Sequence, residues 1–105
     1  MKIIINCCKG GYCLSLKAIE HMADAGDNNA KREFEEMDKF SLLYSEHHNR
    51  FNKYLVKAVE DLGIDANGPN SKLGILNVKS DKYYIFEYDG EEYLMTPESI
   101  KWIKI

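Results

Sequence analysis

The sequence predicts one α+β domain: an N-terminal strand, about three helices, and then a mainly antiparallel sheet of four to five strands. Three observations carry this. The chain opens on Ile3-Ile4-Ile5, a β-branched run held between Lys2 and Asn6. Across residues 15–62, apolar positions recur every three or four residues, the period of a helix face. After residue 71 the pattern changes to strand-length runs, with Asp89-Gly90 between two of them as a two-residue hairpin signal. Helices followed by strands, rather than alternating with them, imply helices packed on one face of an antiparallel sheet.

The bulk numbers bound this reading. A chain of 105 residues supports a single modest core, hence one domain over 1–105. Hydrophobic residues at 45% and charged residues at 30% are ordinary for a globular protein and exclude a disordered chain. Seventeen acids against fourteen bases leave a net charge of −3, without the basic excess of a general nucleic-acid binder. No apolar run reaches the roughly 18–20 residues that span a membrane, so no membrane contact is expected. The first residues lack the pattern of an export signal. The expected compartment is therefore the cytoplasm, where Cys7, Cys8 and Cys13 stay reduced.

Residues 2–6 read as the first strand. Three consecutive isoleucines offer no polar face, so it is buried on both faces or central in a sheet. A loop over 7–14 leads to Ser15, a good N-cap. Leu16, Ile19, Met22 and Ala23 give the first helix its apolar face, and Gly26 stops it. From Ala30 a second helix is expected, with Phe34, Met37, Phe40 and Tyr44 on one side. Lys31, Arg32, Glu33, Glu35, Glu36, Asp38 and Lys39 form a solvated face. His47-His48-Asn49-Arg50 interrupts the period, with Asn49 a candidate N-cap. A third helix is expected over 51–62, ended by Gly63. Residues 65–71 are the clearest loop. Strands are expected over 73–78, 83–88, 91–95 and 100–105. Alternation puts Tyr84, Phe86 and Tyr88 on one face and Tyr83 and Ile85 on the other. Bulk on both faces points to a second subunit covering one of them, hence a homo-oligomer.

Three stretches together resemble a family of small bacteriophage proteins. Ile5, Asn6, Cys8, Gly10, Gly11, Tyr12, Leu14 and Ser15 fit its N-terminal pattern I-N-x-C-aromatic-G-G-aromatic-x-L-S, with Lys9 in place of the first aromatic. Arg50 ahead of Glu60-Asp61-Leu62-Gly63 resembles the second stretch, and Glu87-Tyr88-Asp89-Gly90 matches the third. The segment over 26–48 is longer here. The resemblance implies a phage or prophage accessory protein in the host bacterial cytoplasm. Such proteins act against host defences by inhibiting a nuclease complex, as anti-CRISPR proteins do, or by sequestering a nucleotide signal.

The residues themselves offer one stretch built like a ligand site. A strand, two glycines and a helix start point free N–H groups and a helix dipole at one spot. In this reading Lys9, the amides of Gly10 and Gly11, and Arg50 hold the phosphate of a small nucleotide-like anion. Tyr12 packs on its base, and Asn6, Cys8 and Ser15 complete the site. The alternative is a sharp turn that needs positive φ. No P-loop or dinucleotide fingerprint is present. Adjacent cysteines chelate poorly and no C-x-x-C pair exists, so no metal or cofactor is expected. A Cys8 nucleophile would lack an orienting third group, so the chain is read as a non-enzyme. The expected function is sequestration of an anionic ligand. The alternative is a protein-binding inhibitor of a host defence complex, with the acids of 33–38 competing for a basic channel.

Overall fold

The computed structural model describes residues 1–36 and 40–99. In order, the elements are strand β1 (Lys2–Asn6), helix α1 (Leu16–Asp24), helix α2 (Asn28–Glu36), a 3-10 turn (His47–Asn49), helix α3 (Lys53–Leu62), a second 3-10 turn (Gly63–Ala66), strands β2 (Leu73–Asn77), β3 (Tyr84–Tyr88) and β4 (Glu91–Met95), and a last 3-10 turn (Pro97–Ser99). The class is α+β. The strand count is lower than expected, with two separate antiparallel pairs, β1–β2 and β3–β4, among the described residues. The strand expected over 100–105 lies outside them.

The isoleucine run explains the layering. Ile4 enters a core with Leu14, Ile19, Met22, Leu55 and Val59 on the helix side. Ile3 and Ile5 point the other way, into a smaller core with Val78 and Ile85 beneath the β3–β4 hairpin. β1 is therefore buried on both faces because the helices cover one and the hairpin covers the other. It does not enter the middle of a wider sheet: β2 is its one ladder partner among the described residues, from Lys2↔Asn77 to Asn6↔Leu73. Each of these isoleucines is at most 5% exposed, and full burial contributes about 1.5–3 kcal/mol per side chain.

The helices start where side-chain oxygens meet free amides. Ser15 Oγ accepts from the Ala18 amide at the head of α1. Asp27 Oδ1 accepts from the amides of Asn29 and Ala30, which starts α2 before the expected Ala30. Asn52, rather than Asn49, caps α3 through the amides of Tyr54 and Leu55, so this helix begins later than expected. The helix expected to reach Tyr44 does not. Leu14 and Ser41 exchange backbone hydrogen bonds, which needs extended chain at Ser41. Tyr44 takes a left-handed conformation and donates its hydroxyl to Asp27. The apolar spacing at 43 and 44 is used instead to pack a returning segment on the core. Asp89 and Gly90 both have positive φ, as the tight β3–β4 turn requires. No helix among the described residues is long and apolar enough to cross a membrane.

Candidate functional site

The residues singled out at the N-terminal junction do converge, but on a buried centre. Asn6 ends β1 with its side chain fully enclosed. Its Nδ2 donates to the carbonyls of Cys8 and Gly90, both at 2.7 Å, and its Oδ1 accepts from the Lys72 amide at 2.9 Å. One side chain thus ties the glycine loop to the 66–72 loop and to the hairpin turn. Gly10 and Gly90 are required by this clamp. A Cβ on Gly10 would lie 1.6 Å from the Asn70 carbonyl oxygen, and one on Gly90 would lie 2.4 Å from the Lys9 carbonyl oxygen. Cys8 is half-buried, with Sγ 3.0 Å from the Asn70 carbonyl. The glycine loop is therefore a turn gripped from both sides, with Lys9 and Gly10 exposed.

Arg50 is not a free anion fork. It is 1% exposed. Nη1 and Nη2 each lie 2.6 Å from a Glu92 carboxylate oxygen. Nη1 also donates to the Ile4 carbonyl, and Nε and Nη2 donate to the Ser45 carbonyl. A guanidinium has five N–H donors, and all of them are used. Tyr12 is buried as well. Its ring lies under the guanidinium, with Cζ 3.9 Å from the centroid, and its hydroxyl donates to the Leu43 carbonyl at 2.9 Å. Burial pushes the Tyr12 phenol well above its ordinary pKa, so it stays a protonated donor. The ring faces a cation inside the core, which leaves no face for a base.

Nor is the α1 N-terminus aimed at the glycine loop. Besides capping Ala18, the Ser15 hydroxyl donates to the Asp65 carbonyl, and the Ser15 amide donates to Ala66 at 2.9 Å. The 3-10 turn Gly63–Ala66 thus covers the helix end. Burial also raises the thiol pKa values of Cys7 and Cys13, which keeps both protonated and poor nucleophiles. The five main surface hollows are lined by other residues than Asn6, Cys8, Lys9, Gly10, Gly11, Tyr12, Ser15 and Arg50. At this junction the Arg50 cation is paired, the Tyr12 ring is covered and the α1 end packs against the 63–66 turn, while Lys9 and Gly10 stay exposed.

Sequence reasoning missed Glu92, the buried partner of Arg50, which also accepts from the Asn6 amide at 2.7 Å. A signal was present. Counting alternation back from the Asp89-Gly90 turn pairs Ile85 with Leu94 and Glu87 with Glu92 on the core side. Glu92, the acid of this pair nearer the core, is buried and needs a cation beside it.

The opposite face of the hairpin is open. Tyr84 pairs with Met95, Phe86 with Tyr93 and Tyr88 with Glu91. Tyr84 is 63% exposed, Tyr88 65%, Phe86 47%, Tyr93 46% and Met95 39%. Phe86 and Tyr93 touch as a tilted pair with ring centroids 6.4 Å apart. A hollow of about 350 Å³, lined by Tyr83, Tyr84, Met95 and Pro97, adjoins this face. Ile85 packs the hairpin onto Ile3, Ile5 and Val78 beneath it, so the aromatic side chains stand on the far side from this core. Comparison with protein-family models, curated proteins and solved structures gives no match.

Proposed function

We propose that this protein acts without chemistry of its own, by binding a partner protein through the outer face of the β3–β4 hairpin. The observation that carries this is the contiguous set Tyr84, Phe86, Tyr88, Tyr93 and Met95, each 39–65% exposed on one face. At roughly 150–250 Å² per large side chain, these exposures leave about 500 Å² of apolar and aromatic surface open. The largest apolar patch on a monomer is commonly about 300–600 Å² and often functional, and this one would form the centre of an interface of about 800 Å² per partner. Tyrosine suits such a centre, since it combines large area with a hydroxyl that keeps the free surface soluble.

The rim selects the partner's chemistry. Glu91 shares the face and Asp89 sits at the turn beside it. A complementary surface is apolar at its centre and basic at its edge. A protein surface beside the basic nucleic-acid channel of a host nuclease complex is a partner of that kind, in line with the counter-defence role implied by the phage-family resemblance. The small-anion reading has less support, because Arg50 and Tyr12 are withdrawn from any ligand.

The test compares the wild type with a Tyr84→Thr, Phe86→Thr, Tyr88→Thr variant, which keeps β propensity while removing the apolar face. Both are assayed for inhibition of target cleavage by purified CRISPR nuclease complexes. Inhibition by the wild type that the folded variant lacks supports the proposal; equal inhibition by both overturns it. A saturable thermal shift with cyclic nucleotides, removed by Lys9→Ala, would instead restore the anion reading. A wild-type dimer that the triple variant disperses in light scattering would assign the face to a second copy.

A further inference from the structure

The inner face of the same hairpin carries a charge arrangement that the Arg50 pair leaves incomplete. Glu87 and Glu92 lie directly opposite one another across β3 and β4. Like charges so paired repel. Arg50 supplies one positive charge and spends it on Glu92. His47 enters from a remote part of the chain. One of its ring nitrogens, a Glu87 oxygen and a Glu92 oxygen all lie within 4.8 Å of one another. The His47 backbone is anchored, because Tyr83 donates its hydroxyl to the His47 carbonyl and packs edge-on against Phe51.

Lone pairs remain for a ligand. Glu92 Oε1 is filled by Arg50 and the Asn6 amide, whereas Oε2 accepts from Arg50 alone and keeps a second lone pair. Glu87 is exposed, and a neutral imidazole offers one further nitrogen. With the imidazole neutral, two carboxylates and one guanidinium leave the cluster at −1.

We propose that His47, Glu87 and Glu92 bind a divalent transition-metal ion of the zinc class. One imidazole and two carboxylates form a donor set that zinc accepts, with three protein ligands and a fourth position for water. The ion neutralises the cross-strand glutamate repulsion and links the 3-10 turn His47–Asn49 to the hairpin. Arg50 acts as the outer-shell group that fixes the Glu92 carboxylate. Ligand atoms in a tetrahedral zinc site lie about 3.3 Å apart, so rotations of the Glu87 and His47 side chains close the site. The spacing rules for cysteine and histidine motifs miss this site because its ligands come from sequence-distant elements.

The experiment titrates zinc chloride into the chelator-treated full chain, followed by calorimetry and thermal unfolding. Saturation near one equivalent with a raised Tm is expected. His47→Ala and Glu87→Gln should each weaken binding by more than about tenfold, the low end of the loss that even an outer-shell change causes. Both variants keep the His47 carbonyl and the Arg50 pair, and circular dichroism checks their fold. His48→Ala and a Cys7→Ser, Cys8→Ser variant should bind as the wild type does. Cobalt in place of zinc should give a tetrahedral spectrum without a thiolate charge-transfer band. No saturable binding, unchanged binding in His47→Ala and Glu87→Gln, or binding that disappears with the cysteines overturns the proposal.

Discussion

Replacing Glu92 by Gln tests the account of the buried centre most directly. The substitution keeps the shape of the side chain and removes its charge. One Gln oxygen still accepts from the Asn6 amide and from Arg50. The new NH₂ group then faces an Arg50 N–H that previously met a carboxylate oxygen, so one of the five guanidinium donors loses its acceptor. The larger effect is the uncompensated charge. Arg50 and Glu92 side chains are 1% and 3% exposed, and breaking such a pair from one side costs about 3–5 kcal/mol. For a chain of this size that is a large share of a total stability of roughly 5–15 kcal/mol. With a urea m-value of about 2 kcal/mol/M, the denaturation midpoint should fall by about 2 M.

An internal comparator has an equally short, though single, contact at the surface. Lys2 Nζ lies 2.6 Å from Glu60 Oε2, the distance found in the buried pair, but these side chains are 50% and 34% exposed. Glu60→Gln should therefore cost about 1 kcal/mol or less. The double variant Arg50→Met, Glu92→Leu should be more stable than Glu92→Gln alone, since both charges leave together. It should still fall short of the wild type, because the Ser45 and Ile4 carbonyls lose their donors. A Glu92→Gln midpoint within the range of Glu60→Gln would refute the reasoning, since distance rather than burial would then set the magnitude.

Two further predictions follow from the same junction. Tyr12→Phe should cost about 1 kcal/mol at neutral pH through the lost bond to Leu43, while the ring stays on Arg50. Because burial raises the phenol's pKa in the folded chain, its contribution is intact below the ordinary value of 10 and is lost as pH rises beyond it; Tyr12→Phe should flatten that alkaline fall in urea titrations. Gly10→Ala should cost at least about 3 kcal/mol, since its Cβ has nowhere to go but the Asn70 backbone. Gly11→Ala, with open space but φ of +92°, should cost only about 1–2 kcal/mol of backbone strain. Equal urea midpoints for the two glycine variants would refute the clamp.

Local chemistry accounts for the parts of this fold that could be read residue by residue. The β-branched run at Ile3-Ile4-Ile5 marks a strand with no polar side. Ser15 can cap, Gly63 can end a helix, and Asp89-Gly90 can close a hairpin, because each acts on amides a few residues away. The segment over 40–44 misled for the same reason. Its helical spacing is real, but Ser41 finds a better hydrogen-bonding partner in Leu14, far away in the chain.

Sequence alone thus determined the class, the order of the elements and the two-sided burial of β1, all of which rest on side-chain polarity and short-range backbone bonding. Tertiary structure decided what the side chains at the glycine junction contact. Arg50 reads equally well as an anion fork or as half of an ion pair until Glu92 is brought to it across 42 positions of chain. The same pairing of β3 with β4 turned Tyr84, Phe86 and Tyr88 outward and set Glu87 opposite Glu92. Which charges meet, and which aromatic rings stay bare, depends on contacts between distant segments. No local pattern encodes those contacts, because the free energy of burying a charge belongs to the assembled core rather than to the residue.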